Sequence, residues 1–148
     1  MPASPRVFLD AIALFAAVWS REGGARMILK LGEAGAIRLL VSSQVLGEVE
    51  GALRRKAPQA LGAFALLLDR SNIEVVPPPT DEAIRGCLAV TGHRGDARVL
   101  AAALNGQVDY FVTLDRQHFL DNPRLSGFAP FPLGTPGDFL AWLRARWA

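Results

Sequence analysis

The sequence has a single cysteine, Cys87. An internal disulfide framework and a multi-cysteine zinc site are therefore excluded, and a reducing compartment fits. Histidine is almost as scarce. His93 and His118 are the only two, without paired spacing, so zinc is not the expected metal. Charged residues make up only 20% of the 148 positions, against 51% hydrophobic, which excludes disorder for the bulk of the chain. Long apolar runs are missing too. The stretch that opens at Val7 breaks at Asp10, far short of the roughly 18 residues a membrane span needs. The same carboxylate argues against reading Arg6 and the apolar residues after it as a signal peptide. No membrane association and a cytoplasmic location are expected. Lysine is limited to Lys30 and Lys56, so 14 of the 16 basic residues are arginine. Arginine suits bidentate phosphate contacts, but a compositional bias gives the same skew. A net charge of +2 permits a nucleic-acid partner without arguing for one.

What is present describes one domain, residues 1–148, of a length that hides roughly two-thirds of its unfolded surface. Val7–Leu9, Ile37–Val41, Asn72–Val76 and Tyr110–Thr113 are short apolar runs of the kind that form buried strands. Phe128–Leu133 is a weaker fifth, confined to a sheet edge by Pro130 and Pro132. Helical spacing marks Ala25–Ala34, Ser43–Arg55, Leu61–Leu68, Thr80–Val90 and Asp96–Leu104 between them. Thr135-Pro136-Gly137-Asp138 opens a last helix with a capping hydroxyl, a first-turn proline and a first-turn acid. Strands alternating with helices predict a three-layer α/β/α sandwich around a central, mostly parallel sheet of four to five strands.

Open α/β sheets bind ligands beyond the carboxyl ends of their strands. Asp10 directly follows Val7-Phe8-Leu9, and Asp115 follows Tyr110-Phe111-Val112-Thr113-Leu114. Glu48 lies about one turn into the helix after the strand that ends near Val41, and Asp96 lies in the first turn of its helix. Each acid alone has a plain role as a cap, a dipole partner, a turn residue or a solvated side chain. Together on one rim they would repel and raise each other's pKa unless a cation neutralises them. Oxygen donors without cysteine or clustered histidine select Mg²⁺ or Mn²⁺, which suits phosphoryl chemistry.

The surrounding residues leave alternatives open. Arg94, Arg98 and Arg116 flank the acids and either steer phosphates or offset negative charge. Arg54-Arg55-Lys56 complements a helix dipole or tracks phosphates. His118 contacts a phosphate, donates a proton or is structural. Cys87 shares a helical face with Ile84 and Leu88 and reads as core. Trp142 and Trp147 cover the sheet or form a partner surface, and Trp19, near Phe15, is core or partner-facing.

Four blocks in order resemble the PIN-domain nucleases. They are Val7-Phe8-Leu9-Asp10 with Leu14-Phe15; Ser42-Ser43-Gln44-Val45-Leu46-Gly47-Glu48-Val49; Gly95-Asp96-Ala97-Arg98-Val99-Leu100; and Asp109-Tyr110-Phe111-Val112-Thr113-Leu114-Asp115, followed by His118-Phe119. The resemblance implies a PIN-like fold and an Mg²⁺- or Mn²⁺-dependent endoribonuclease, often the toxin of a VapC-like toxin–antitoxin pair. It gives Asp10, Glu48, Asp96 and Asp115 as the catalytic, metal-binding set, with Thr113 as a hydroxyl beside it; Arg98, Arg116 and His118, read from their positions near the acids, are the candidate supporting or substrate residues. It also implies RNA as substrate, a cognate antitoxin as partner and a homodimer built on the helices Ala11–Trp19 and Ala25–Ala34. One position departs. Ile12 stands where the family usually has an asparagine two residues after the first acid, and isoleucine offers neither donor nor acceptor. The alternative is therefore a catalytically impaired module that binds RNA or a protein. A receiver or phosphatase fits less well, because no lysine follows Lys56 and Ile12 breaks an Asp-x-Asp pattern.

Overall fold

The computed structural model describes residues 3–147. Five strands form one all-parallel sheet: β1 (Arg6–Leu9), β2 (Arg38–Val41), β3 (Glu74–Val75), β4 (Tyr110–Val112) and β5 (Leu133–Gly134), in the order β3-β2-β1-β4-β5. The helices around them are α1 (Ala11–Trp19), α2 (Gly24–Glu33), α3 (Ser43–Lys56), α4 (Leu61–Arg70), α5 (Asp81–Thr91), α6 (Arg94–Asn105), α7 (Pro123–Phe128) and α8 (Pro136–Trp147). The result is the expected α/β/α layering, with α1, α2 and α8 packed in sequence and α5 packed on α6. No helix among the described residues is long and apolar enough to cross a membrane.

The central strands are the most apolar, as strands covered on both faces must be. Val7, Phe8 and Leu9 of β1 and Tyr110, Phe111 and Val112 of β4 are all buried. They pair in register, Phe8 beside Phe111, and those two rings stack at 5.3 Å between centroids. Phe119 and Phe131 close on Phe111 at 5.1 and 6.1 Å, so the core continues past the sheet into the loops after β4. Trp142 packs against Tyr110 and covers the sheet, whereas Trp147 is exposed. Cys87 is core, as its helical face predicts.

Two segments differ from the sequence pattern. Phe128 ends helix α7 rather than opening a strand, and β5 shrinks to Leu133–Gly134. The prolines explain this. Pro132 has no N–H to give, yet its carbonyl still accepts from Phe111 N at 3.0 Å, so it can flank an edge strand. Between β4 and α7 the chain makes a π-helical turn, Arg116–Leu120, where the sequence shows no periodic pattern. At β5 the packing requires glycine. A Cβ on Gly134 would stand 2.1 Å from the Tyr110 hydroxyl. Just beyond it, Thr135 and Asp138 cap α8 reciprocally, with Asp138 N donating to Thr135 Oγ1 at 3.1 Å and Thr135 N donating to Asp138 Oδ2 at 3.0 Å.

Candidate active site

From β1 the chain moves outward to β2 and β3, then returns to place β4 on the other side of β1. The strand order reverses between β1 and β4, and the carboxyl ends at such a reversal are where open α/β sheets bind ligands. Asp10 and Asp115 lie at that point. Asp10 is the N-cap of α1, with its Oδ1 accepting from Ala13 N at 2.9 Å. Its Oδ2 accepts from the Thr113 hydroxyl. Thr113 is fully buried, and its Oγ1 in turn accepts from Asp115 N at 2.9 Å. One hydroxyl thus joins the first acid to the last. Asp115 caps the π-helical turn by accepting from His118 N at 3.0 Å.

Asp96 and Glu48 arrive on helices. Asp96 is in the first turn of α6, where the helix dipole favours a carboxylate. Helix α3 starts at Ser42, whose hydroxyl accepts from Val45 N at 3.1 Å, and it carries Glu48 on an exposed turn. Gln44 Nε2 donates to Glu48 Oε1 at 3.0 Å and to Gly95 O at 3.3 Å, which fastens α3 to the start of α6.

Two of these acids are shifted by their surroundings. Burial pushes the Asp10 carboxyl up to about 6, and the nearby charges of Asp115 and Glu48 add to the rise against the hydrogen bonds from Thr113 and Ala13. Asp96 is also raised, first by burial, with Asp115 adding to the rise and His118 and His93 opposing it. Asp115 is therefore the electrostatic centre of the group, close enough to act on both Asp10 and Asp96.

The flanking arginines do not neutralise this cluster. Among the described residues, neither Arg98 nor Arg116 forms an ion pair with the four acids. Arg116 lies 3.9 Å from Asp121, and Arg98 is exposed beside Ser42, Gln44 and the Pro77–Pro79 turn. Ile12 is 52% exposed and lines a small cleft of about 240 Å³ with Ala11, Phe15, Val49, Ala52, Glu48 and Lys56. The position that departs from the family pattern thus opens on an apolar cleft beside Glu48. A larger hollow, about 760 Å³, lies near the opposite rim against Ser4, Pro5 and Gly35, and no acid lines it.

Two residues carry more than their sequence context indicates. Gln44 was legible only as a Gln–Glu pair at i,i+4 spacing. His93 has no such signal. It lies in the exposed turn between α5 and α6, yet its ring stands 4.9 Å from that of His118. The histidines are therefore clustered in space, contrary to their spacing in the sequence.

The donor set fits a divalent cation. Asp96 Oδ2 is buried and has no hydrogen-bond partner, a costly state for a carboxylate oxygen that a bound cation would relieve. A buried acid with a raised pKa beside two further acids has the same remedy.

Two solved structures share the fold. A crystal structure of VapBC2 from Rickettsia felis bound to a DNA fragment from their promoter contains a chain that superposes with a TM-score of 0.64 at 17% identity, covering 86% of this chain and 96% of that one. The crystal structure of PAE2754 from Pyrobaculum aerophilum gives a TM-score of 0.59 at 18% identity, over 95% of this chain and 96% of that one. At such identity the likeness establishes the fold. Among curated proteins, none matches the chain by sequence. The family model described as PIN domain matches residues 6–117, a span that holds all four acids and most of the sheet. The chain therefore belongs to the PIN-domain family, whose members are generally nucleases.

Proposed function

We propose that this protein is an endoribonuclease dependent on Mg²⁺ or Mn²⁺, the toxin of a toxin–antitoxin pair. Its catalytic set is Asp10, Glu48, Asp96 and Asp115. The observation that carries this reading is the buried Asp10 carboxylate, held between the Ala13 amide and the Thr113 hydroxyl at the strand switch point, with Asp115 and Glu48 near enough to raise its pKa. Such a group is costly to the fold and useful only once charged and matched by a cation.

The four acids would hold the ion or ions. When bound, a divalent cation supplies Lewis acidity, activating water as a nucleophile and steadying the leaving oxygen. The chain's own residues do the positioning. The amide of Ala13 and the hydroxyl of Thr113 fix both oxygens of Asp10, so its orientation is set before substrate arrives. Thr113 passes that order to Asp115 through the Asp115 amide. Gln44 holds Glu48 toward the α6 terminus. Arg98 and Arg94, exposed and free of acid partners, are available to RNA phosphates.

The partners follow the same reading. VapBC2 is a toxin–antitoxin name, and a cognate antitoxin is proposed here by analogy with that neighbour. Trp19 on α1 and Met27 on α2 are 58% and 43% exposed, which supports a homodimer through those helices. The chain works as one domain in the cytoplasm on this reading.

The test is cleavage of a panel of tRNA, rRNA and single-stranded RNA with Mn²⁺, Mg²⁺ or EDTA, run beside Asp10→Asn. Metal-dependent cutting that disappears in the variant is expected. The exposed Ile12 favours a second reading, a module that binds RNA or a protein without cutting it. Metal binding without turnover by the wild type would select that reading.

A further inference from the structure

His93 and His118 have no part in the acid set, yet the fold pins both at its edge. His93 is the N-cap of α6, and its carbonyl accepts from Ala97 N at 2.9 Å and from the Thr91 hydroxyl at 3.2 Å. It follows Gly92, whose φ of +75° makes the reversal out of α5. His118 is fixed by its amide on Asp115 Oδ1. The two segments are tied together from behind, since Asn122 Nδ2 donates to Val90 O at 2.9 Å and holds the turn after β4 against the end of α5.

The side chains converge in front of these ties. One donor atom each from His93, Asp96 and His118 lie within 4.8 Å of one another. His118 Nδ1 is 3.4 Å from Asp96 Oδ2 and 3.2 Å from Asp115 Oδ2. Both are ion pairs only when His118 is protonated, and Asp96 Oδ2 accepts no hydrogen bond, so with a neutral imidazole these atoms face one another as free donors to a metal. Donor atoms sharing one ion with bonds of about 2.1 Å stand about 3.0 Å apart at octahedral angles and about 3.4 Å at tetrahedral angles. The two His118 spacings fit that window, and the His93 donor lies within 4.8 Å, so a modest side-chain rotation closes the set on one ion.

We propose that His93, Asp96 and His118 form a binding site for a late first-row divalent cation, Zn²⁺ foremost. Two imidazoles and carboxylate oxygens are a set that Zn²⁺, Co²⁺ and Ni²⁺ prefer and that Mg²⁺ does not. The site goes beyond the nuclease reading and stands without it. Asp96 belongs to both sets, so Zn²⁺ bound here would draw that carboxylate away from an oxygen-only ion beside Asp10.

The experiment titrates the chelator-treated full chain, without RNA, with Zn²⁺ against a chromophoric chelator and with Co²⁺ by visible absorption. Wild type is compared with His93→Gln, His118→Gln and Asp10→Asn, with circular dichroism confirming that each is folded. One Zn²⁺ per chain is expected, with affinity falling at least about 10-fold in each histidine variant and the Co²⁺ bands lost or shifted. Asp10→Asn should keep Zn²⁺ affinity within about threefold of wild type, since Asp10 is outside the donor set. Unchanged Zn²⁺ affinity in both histidine variants overturns the proposal. So does a loss in Asp10→Asn as large as theirs, which would place the ion among the oxygen-only acids. Failure of the nuclease reading is seen separately, as absence of RNA cleavage with Mg²⁺ or Mn²⁺.

Discussion

The two rims of this sheet are built from the same strands and treat charge in opposite ways. At the amino rim, Arg6 opens β1 and is fully engaged. Its amide donates to Asp109 Oδ2 at 2.8 Å, its guanidinium donates twice to Gly106 O at 3.1 and 2.9 Å, and it pairs with Glu74 at 2.8 Å. One arginine thereby links β1 to the start of β3 and to the turn before β4. At the carboxyl rim, four acids gather with no arginine or lysine partner among the described residues. The first rim is arranged to hold the sheet. The second is arranged at the sheet's expense, and such a deficit persists only where a ligand makes it good.

If that contrast is right, the strongest way to break it is at Asp10. Asp10→Asn is expected to lower RNA cleavage at least about 1,000-fold, because it removes a charge that the ion requires. Asparagine also caps helices well, so far-ultraviolet circular dichroism should be unchanged. Activity within tenfold of wild type would remove Asp10 from the site.

The second test is thermodynamic. Burial pushes the folded Asp10 carboxyl up to about 6, against 3.8 for a free aspartate, so the folded chain holds the proton more tightly than the unfolded chain. The cost of charging it is absent below about pH 4, grows as pH rises and is complete above about pH 6. In EDTA, Asp10→Asn should therefore gain stability over wild type between pH 4 and pH 7, by up to about 3 kcal/mol. Urea denaturation of both proteins across that range measures it, and a difference independent of pH would contradict the proposed cost.

Thr113→Val sharpens the comparison without touching a charge. It removes the hydroxyl that joins Asp10 to Asp115 and keeps the shape of the side chain. A rate loss of about 10–100-fold is expected, most of it in kcat, with substrate affinity little changed. The smallest effect belongs to the opposite rim. Arg6→Met should cost about 1 kcal/mol by denaturant melt, since the pair with Glu74 is partly solvated, and should leave cleavage within twofold. A large activity loss there would mean that the two rims are not separable.

The sequence already displayed much of this. The acids were legible because Asp10 and Asp115 terminate apolar runs, and a run that ends in a carboxylate marks the rim of a buried parallel strand. The capping residues Thr80 and Thr135 located the starts of α5 and α8. The edges were harder to see. The run Asn72–Val76 marked β3, which pairs over only Glu74–Val75; β5 is two residues, too short for any alternation to register, and α7 begins at Pro123 with a single buried residue, Leu125. The π-helical turn has no periodicity that separates it from a loop. His93 could not be placed because its neighbours in space, His118 and Asp96, are assembled by tertiary packing. The same holds for the arginines, whose sequence proximity to the acids gave no hint that Arg116 faces Asp121 instead.

The position of β1 at the middle of the sheet governs when this site comes into being. Asp10 and the hydroxyl that orients it are separated by 103 residues, a loop that closes late because its entropy must be met before its contacts return anything. A chain emerging in order has already exposed Asp10, Glu48 and Asp96 before Tyr110 is made, yet it lacks the strand that would gather them. An unfinished copy would carry three of the four acids without the strand that gathers them.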